Sequence, residues 1–130
     1  MPIFYESKNS VVHTVMAGQI GLEEIYQHLS KLTNDSAVPS IFIERIDMTG
    51  VTKLELMSED AQKIGNAAES LHNKHEKSVV VVIADSDFTY GITRMVQAYV
   101  EMCHPSVDWK TVKNIESADA IIEEVLKSMN

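Results

Sequence analysis

The chain has 130 residues, of which 45% are apolar and 23% are charged, and its formal net charge is −8 at pH 7. This length and composition are typical of one globular domain with a single core, so we expect one domain over residues 1–130. The negative charge disfavours nucleic-acid binding, because that binding depends on lysines and arginines that contact phosphates. The single cysteine, Cys103, excludes an internal disulfide and a zinc site with several thiolate ligands.

The start of the chain lacks the basic residues and apolar run of a signal peptide. No apolar run approaches the ~18 residues of a membrane span. We therefore expect a cytoplasmic protein with no membrane span.

The N-terminal third has the pattern of two strands followed by a helix. Alternation predicts strands at 3–7 and 11–18, and the short polar turn between them predicts an antiparallel hairpin. The next segment, 22–34, predicts an amphipathic helix, with His28 interpreted as a residue of its solvated side. Its apolar stripe consists of Leu22, Ile25, Leu29 and Leu32.

The segment 41–48, IFIERIDM, predicts a third strand, which is expected to stop where Thr49 and Gly50 supply turn chemistry. A buried parallel strand is expected to be almost continuously apolar, yet Glu44 and Arg45 interrupt this one. Two explanations stay open. Either the charged residues pair with neighbours near one end of the sheet, or the strand is less buried than its neighbours.

A polar loop at 49–57 and a helix at 58–76 are expected next. Ser58 can cap this helix through its hydroxyl, with acidic residues following in the positive first turn. In an open α/β sheet, ligands and partners bind outside the carboxyl ends of the strands, where this loop would lie. The sequence therefore predicts where a site would lie, but this segment does not indicate what the site does.

The second half continues the alternation of strands and helices. The β-branched segment 78–86 predicts a central strand buried on both faces, and 88–103 predicts a helix with Cys103 as a small core residue. A last strand is expected at 109–115 and a closing helix capped by Ser117. The order ββαβαβαβα predicts a mixed α/β domain with a mostly parallel five-stranded sheet.

No catalytic motif accompanies this pattern. The chain has neither a nucleophile elbow nor a glycine-rich phosphate loop. His72 and His75 are three residues apart on one predicted helix, but no third ligand is placed beside them. We therefore expect a protein that is not an enzyme and that has no cofactor and no metal site.

The element order, together with DMTGVT at 47–52 after a strand, resembles the STAS domain of sulfate transporters and anti-sigma-factor antagonists. The segments YGITRMVQAYVE at 90–101 and TVKNIESADAIIEEV at 111–125 are similar to the SpoIIAA-like branch, whose fold is shared with CRAL-TRIO lipid-binding domains. The resemblance spans nearly the whole chain. It implies a SpoIIAA-like fold and a non-enzymatic regulatory module that binds a protein partner, with a homodimer as one form.

The resemblance also implies a phosphorylation site. In the anti-sigma-factor antagonists, a serine at the start of this helix is phosphorylated, which switches binding to a kinase-like anti-sigma partner. Ser58 is the nearest match, although it lacks the preceding Asp and the following Gly of that motif. A phosphate on Ser58 would gain from the helix N-terminus but would be repelled by Glu55, Glu59 and Asp60. Both uses of Ser58, as a cap and as a switch, stay open.

The CRAL-TRIO side of the resemblance implies the alternative function, the binding of a small apolar or anionic ligand. The ligand would lie between the loop 48–57 and the segment 85–91, with Tyr90 and Arg94 as polar contacts near a helix start that favours anions. At 130 residues the chain lacks the extra helices that enclose a lipid in the large proteins of that group, so we do not expect it to bind a whole lipid. The residues expected to form this crevice are Met48, Thr49, Gly50, Asp85, Asp87, Tyr90 and Arg94.

Overall fold

The computed structural model describes residues 2–129, which form five strands and five helices in a mixed α/β structure. The order of elements agrees with the prediction, except that the long second helix is divided into two short ones. The elements are β1 (Ile3–Lys8), β2 (Val11–Gly21), α1 (Leu22–Thr33), β3 (Ile41–Glu55), α2 (Asp60–Ala67), α3 (Glu69–Lys74), β4 (Lys77–Ile83), α4 (Asp87–Cys103), β5 (Val107–Val112) and α5 (Ile115–Ser128).

The five strands form one sheet in the order β1-β2-β3-β4-β5. β1 and β2 are antiparallel, and the other neighbouring strands are parallel. Asn9 and Ser10 join β1 to β2 with positive φ angles of 53° and 69°, as in a type I′ hairpin turn. The prediction of a mixed, mostly parallel five-stranded sheet with an N-terminal hairpin is confirmed.

The third strand is longer than predicted. It does not end near residue 48 but runs for 15 residues, so most of the expected loop 49–57 is strand. Thr49 and Gly50 do not stop it, because β2 also continues and pairs with it from Ala17 to Gly21. A Cβ at Gly50 would lie 3.3 Å from the Cβ of Ala17, so the glycine permits a close approach of the two strands.

Three expected details at helix ends are wrong. Asn114, not Ser117, caps α5: its side chain accepts a hydrogen bond from the backbone N–H of Ser117 at 2.8 Å. Glu59 is the N-cap residue of α2, so Ser58 is not its cap. Cys103 is exposed, because it is the last residue of α4 and the buried stripe of that helix ends at Val100.

The two faces of the sheet are covered by different helices. Side chains alternate between the faces along each strand. Phe42 and Ile46 of β3 belong to a large core under α1, α2, α3 and α4, whereas Ile43 belongs to a smaller core under α5. We call these the cavity face and the α5 face. In the part of the chain that the structure describes, no helix is long and apolar enough to cross a membrane.

Candidate functional site

A buried carboxylate lies in the middle of the cavity face. Glu44 of β3 is only 3% exposed. Its Oε2 atom accepts a hydrogen bond from Oγ1 of Thr14 at 2.7 Å and another from Nε2 of His28 at 2.8 Å. Thr14 comes from the neighbouring strand β2, and His28 comes from α1, which packs against β1 and β2. The three residues form one hydrogen-bonded group, which we call the Glu44 group.

The partners of Glu44 and Arg45 show why charges interrupt this strand. Glu44 lies opposite Val12 of β2 and Val80 of β4, well inside the sheet, and it is buried. Arg45 points to the α5 face, where its Nε donates to Oδ1 of Asp119 at 2.9 Å. Pairing with neighbours is therefore the correct explanation, but Glu44 is not near an end of the sheet and the strand is not poorly buried.

The expectation for His28 is wrong, since its side chain is buried rather than solvated. His28 is three residues after Ile25 and four before Leu32, both of which are buried on the same side of α1. This spacing was visible in the sequence and could have placed His28 on the apolar side. Its partner could not be read in the same way, because Glu44 is 16 residues further along the chain.

A pocket of about 80 Å³, lined mostly by buried side chains, lies between part of the cavity face and the helices. We call it the inner cavity. Apolar side chains from the strands and from α1, α2 and α4 form most of its wall. Its polar lining residues are Glu44, His28, His72 and Thr93. A dry cavity of about 150 Å³ can hold benzene, so by proportion this one holds a group of about three non-hydrogen atoms.

A second depression lies on the outer side of His28. It has a volume of about 210 Å³ and runs between β1 and α1. We call it the outer groove, and its lining includes Phe4, Tyr5, Glu24, Lys31 and His28. The Tyr5 ring lies edge-on to His28, with 5.7 Å between the ring centroids. His28 therefore contributes to the walls of both the inner cavity and the outer groove.

Two buried histidines, His72 and His75, pack against Phe42, and a third, His104, lies beside His72. The ring of His75 stacks on Phe42 with 5.2 Å between centroids, and the rings of His72 and His104 are 5.7 Å apart. Nδ1 of His72 lies 3.1 Å from Oγ of Ser78 at the start of β4. Within residues 2–129, neither ring nitrogen of His75 has a hydrogen-bond partner.

Burial affects the protonation of two of these histidines, His72 and His75. It lowers the pKa of His72 to about 4, and the nearby His104 adds to the effect, while Glu44 opposes it. Burial also lowers the pKa of His75, and the neighbouring backbone of Pro39 and Ser40 opposes that change. His72 is therefore neutral at pH 7 and becomes charged only in distinctly acidic solution.

The predicted crevice residues do not all come together. Met48 is buried in the wall of the inner cavity, where its Sδ lies 3.9 Å from Oγ1 of Thr93. Thr49 and Gly50 follow in β3 and are exposed. The backbone N–H and the hydroxyl of Thr49 both donate to Oδ1 of Asp47, at 2.9 and 2.7 Å.

The other predicted residues lie at the surface around the start of α4. Nη1 of Arg94 donates to the hydroxyl of Tyr90 at 3.4 Å. Nζ of Lys113 lies 4.9 Å from the centre of the Tyr90 ring and 3.8 Å from Oδ1 of Asp87. Asp85 is exposed just before this helix. Tyr90 and Arg94 thus form a surface cluster and are not part of the inner cavity wall.

Ser58 is exposed in the turn before α2. This turn is closed by Asp60, whose Oδ2 accepts a hydrogen bond from the backbone N–H of Met57 at 2.8 Å. The carbonyl of Ser58 accepts from the backbone N–H of Ala61 at 3.3 Å. The Ser58 side chain is therefore accessible for modification, while the turn is held by other groups.

No group of three or more His, Cys, Asp and Glu side chains within residues 2–129 is arranged to hold a metal ion. No family model matches the chain, and comparison with curated proteins finds no match either. Function therefore has to be inferred from the side chains around the inner cavity and from the resemblance of the sequence.

Proposed function

We propose that the protein is a non-enzymatic binding module that holds a small, mostly apolar ligand in the inner cavity. The observation that carries this proposal is the Glu44 group in the wall of a mostly apolar cavity. Protein interiors normally contain few voids larger than a water molecule. A buried hydrogen-bonded carboxylate adds little net stability and can often be replaced by apolar side chains, so the presence of Glu44 here supports a role in binding.

This proposal keeps the ligand-binding alternative from the sequence but moves the ligand into the core. Met48 belongs to both the predicted crevice and the inner cavity. Tyr90 and Arg94 lie outside the cavity, so the reason for preferring an anionic ligand does not apply there. The apolar lining instead favours a ligand whose main contribution to binding is buried apolar surface.

The test fills the cavity without changing the surface. Ala68 lines the cavity and is buried, whereas the adjacent Ala67 is exposed. Ala68→Leu is expected to displace the ligand, and Ala67→Leu is the matched control. The wild type and both variants would be produced in the cells from which the protein comes and examined by native mass spectrometry, with the denatured mass measured alongside.

We expect extra mass on the wild type and on Ala67→Leu that disappears on denaturation and is absent from Ala68→Leu. Extra mass retained by Ala68→Leu would place the ligand elsewhere. For a wild type without extra mass, the second measurement is NMR of the cavity methyl groups under xenon. A bare chain without xenon-induced shifts at those methyl groups would contradict the proposal.

We infer a SpoIIAA-like arrangement for the fold, within the STAS family. The observed order supports this inference: an antiparallel hairpin first, then parallel strands joined by helices. The resemblance suggests a second function, a regulatory module that binds a protein partner. Both functions can coexist in one domain, because the ligand would lie inside and the partner outside.

A specific observation favours an interaction surface on the sheet. Phe4 and Val15 face each other across β1 and β2 and are 57% and 45% exposed. α5 packs over β3, β4 and β5, and these two side chains lie on the strands beyond it. A second copy of the chain that covered them would remove apolar surface from water. A homodimer through this surface is the form of partner binding that we propose.

Sedimentation velocity over a range of concentrations tests the homodimer. Phe88, at the start of α4, is also 57% exposed, so Phe88→Ser is a matched control for Phe4→Ser. We expect Phe4→Ser to shift the chain to monomer and Phe88→Ser to behave like the wild type. The opposite pattern would move the interface to the segment 85–91 that the sequence indicated. A wild type that stays monomeric throughout would exclude the homodimer.

A further inference from the structure

The Glu44 carboxylate uses only one of its two oxygens within the protein. Thr14 and His28 both bond to Oε2, and no hydrogen bond to Oε1 is made by the described residues. An ionised carboxylate can accept about four hydrogen bonds. Because Glu44 lines the inner cavity, a ligand there can supply a further donor.

The other polar side chains of the cavity wall each have a partner through at least one atom. The hydroxyl of Thr93 donates to the carbonyl of Thr89 at 2.8 Å. Nδ1 of His72 is 3.1 Å from the Ser78 hydroxyl, and Nε2 of His28 is bonded to Glu44. Oε1 of Glu44 is therefore one polar atom through which this wall can hold the polar end of a ligand.

The negative charge of a carboxylate at Glu44 then determines which kind of polar group a ligand can place beside it. A second carboxylate beside Glu44 would bring two like charges together in an apolar space, which is costly. The net charge of −8 also disfavours the approach of an anion. An alcohol or an amine can instead donate a hydrogen bond to the carboxylate.

We propose that the inner cavity binds a short aliphatic molecule that ends in a hydrogen-bond donor, an alcohol or an amine, and that this donor pairs with Glu44. The inference rests on the proposed function that this cavity holds a ligand. The apolar part lies among the aliphatic side chains of the wall. The volume of about 80 Å³ limits the buried part to about three non-hydrogen atoms.

The experiment compares small probes that differ at one end. 1-Propanol, n-propylamine and propionate would be titrated at pH 7 into protein with labelled methyl groups, with xenon as an apolar probe that has no donor. Binding is followed by NMR shifts of the methyl groups that line the cavity. We expect the alcohol or the amine to bind about tenfold more tightly than propionate, which corresponds to one hydrogen bond to a charged group.

Glu44→Gln is the matched variant, because it keeps the length of the side chain. Its amide oxygen can accept from Thr14 and His28, which turns the NH₂ group toward the cavity as a donor. The variant is therefore expected to reverse the preference and bind propionate more tightly than the amine. The ranking of probes on the wild type is a complete test even where this variant does not fold.

The outcomes separate the two proposals. Propionate binding as tightly as the other probes, or xenon binding without any of them, overturns the donor inference but leaves a ligand-binding cavity. No methyl shift with any probe or with xenon contradicts the cavity proposal itself. Tighter binding of the alcohol or the amine than of propionate supports the donor inference.

Discussion

The two faces of the sheet are built from the same strands but have different interiors. On the α5 face, the core consists of aliphatic side chains from β2, β3, β4 and α5. On the cavity face, the alternate positions of β3 bring Glu44 between Phe42 and Ile46, and a cavity remains beside it. One face is therefore filled by apolar side chains, and the other includes polar groups and open space.

The difference between the two faces suggests that the α5 face serves stability and the cavity face serves binding. Apolar side chains that fill their space are the simplest way to stabilise a sheet against a helix. A buried carboxylate must be hydrogen-bonded to be tolerated at all, and its net contribution to stability is small. The charged residue on the other face, Arg45, bonds to Asp119, whose side chain is 58% exposed, so that pair remains in contact with water. The cavity face is the one whose composition requires an explanation other than folding.

The largest expected effect comes from removing the Glu44 side chain. Glu44→Ala leaves the buried donors of Thr14 and His28 without an acceptor, so we expect a loss of about 3–5 kcal/mol in the free energy of unfolding. Urea denaturation measures it. Arg45→Ala is the control on the adjacent residue and the other face, where a partly exposed ion pair is worth roughly 0–1 kcal/mol. Equal losses in the two variants would contradict the difference between the faces.

A triple variant sharpens the same comparison. Replacing Glu44 and His28 by Leu and Thr14 by Val converts the Glu44 group into an apolar wall. We expect its stability to equal or exceed that of the wild type, as for other buried ion pairs replaced by apolar residues. A triple variant as unstable as Glu44→Ala would show that the group is needed for folding and would weaken the case for binding.

The second largest expected effect is a loss of stability at acid pH, which we attribute to His72 in the wall of the inner cavity. Burial lowers the pKa of His72 from 6.5 to about 4 in the folded protein, so below pH 6.5 the unfolded chain binds the proton first. Stability is therefore complete above about pH 6.5 and falls as the pH decreases toward 4. At ~1.4 kcal/mol per pH unit, the loss reaches about 3 kcal/mol.

Chemical denaturation at several pH values measures this slope. His72→Gln should remove most of it, because glutamine does not titrate. His75→Gln should remove a smaller part, since burial lowers that pKa too but carbonyl groups nearby oppose the change. A His72→Gln variant that loses stability in acid as steeply as the wild type would assign the slope to other groups.

The fold could be predicted because its signals are local. Alternation and helical spacing are visible within each segment, and they gave the order of elements and the hairpin. The largest error, the end of β3, occurred where a distant part of the chain decides the structure. Thr49 and Gly50 have turn chemistry, but the continuation of β2 keeps them in a strand. Pairing between the strands therefore outweighed the local preference of these two residues for a turn.

The candidate site could not be predicted, because its members are far apart in the sequence. Thr14 is 30 residues and His28 is 16 residues from Glu44, and only the packing of α1 on the sheet brings them together. The sequence did show that Glu44 was unusual in its strand. That anomaly, rather than any recognised motif, was the signal that pointed toward the site.

The smallest expected effect tests the surface of the cavity face, at Ser58. Its side chain is exposed and Glu59 is the N-cap, so Ser58→Ala should change the free energy of unfolding by less than about 0.5 kcal/mol. Asp60→Ala is the matched control, since it removes the acceptor of the Met57 N–H and should cost about 1 kcal/mol. A similar cost for Ser58→Ala would show that the hydroxyl is a cap after all.

If Ser58 is not a cap, the phosphorylation switch is the remaining use proposed for it. The denatured mass of protein purified from its own cells tests this switch. One added phosphate that is absent from Ser58→Ala supports the switch, and an unmodified mass under all growth conditions contradicts it.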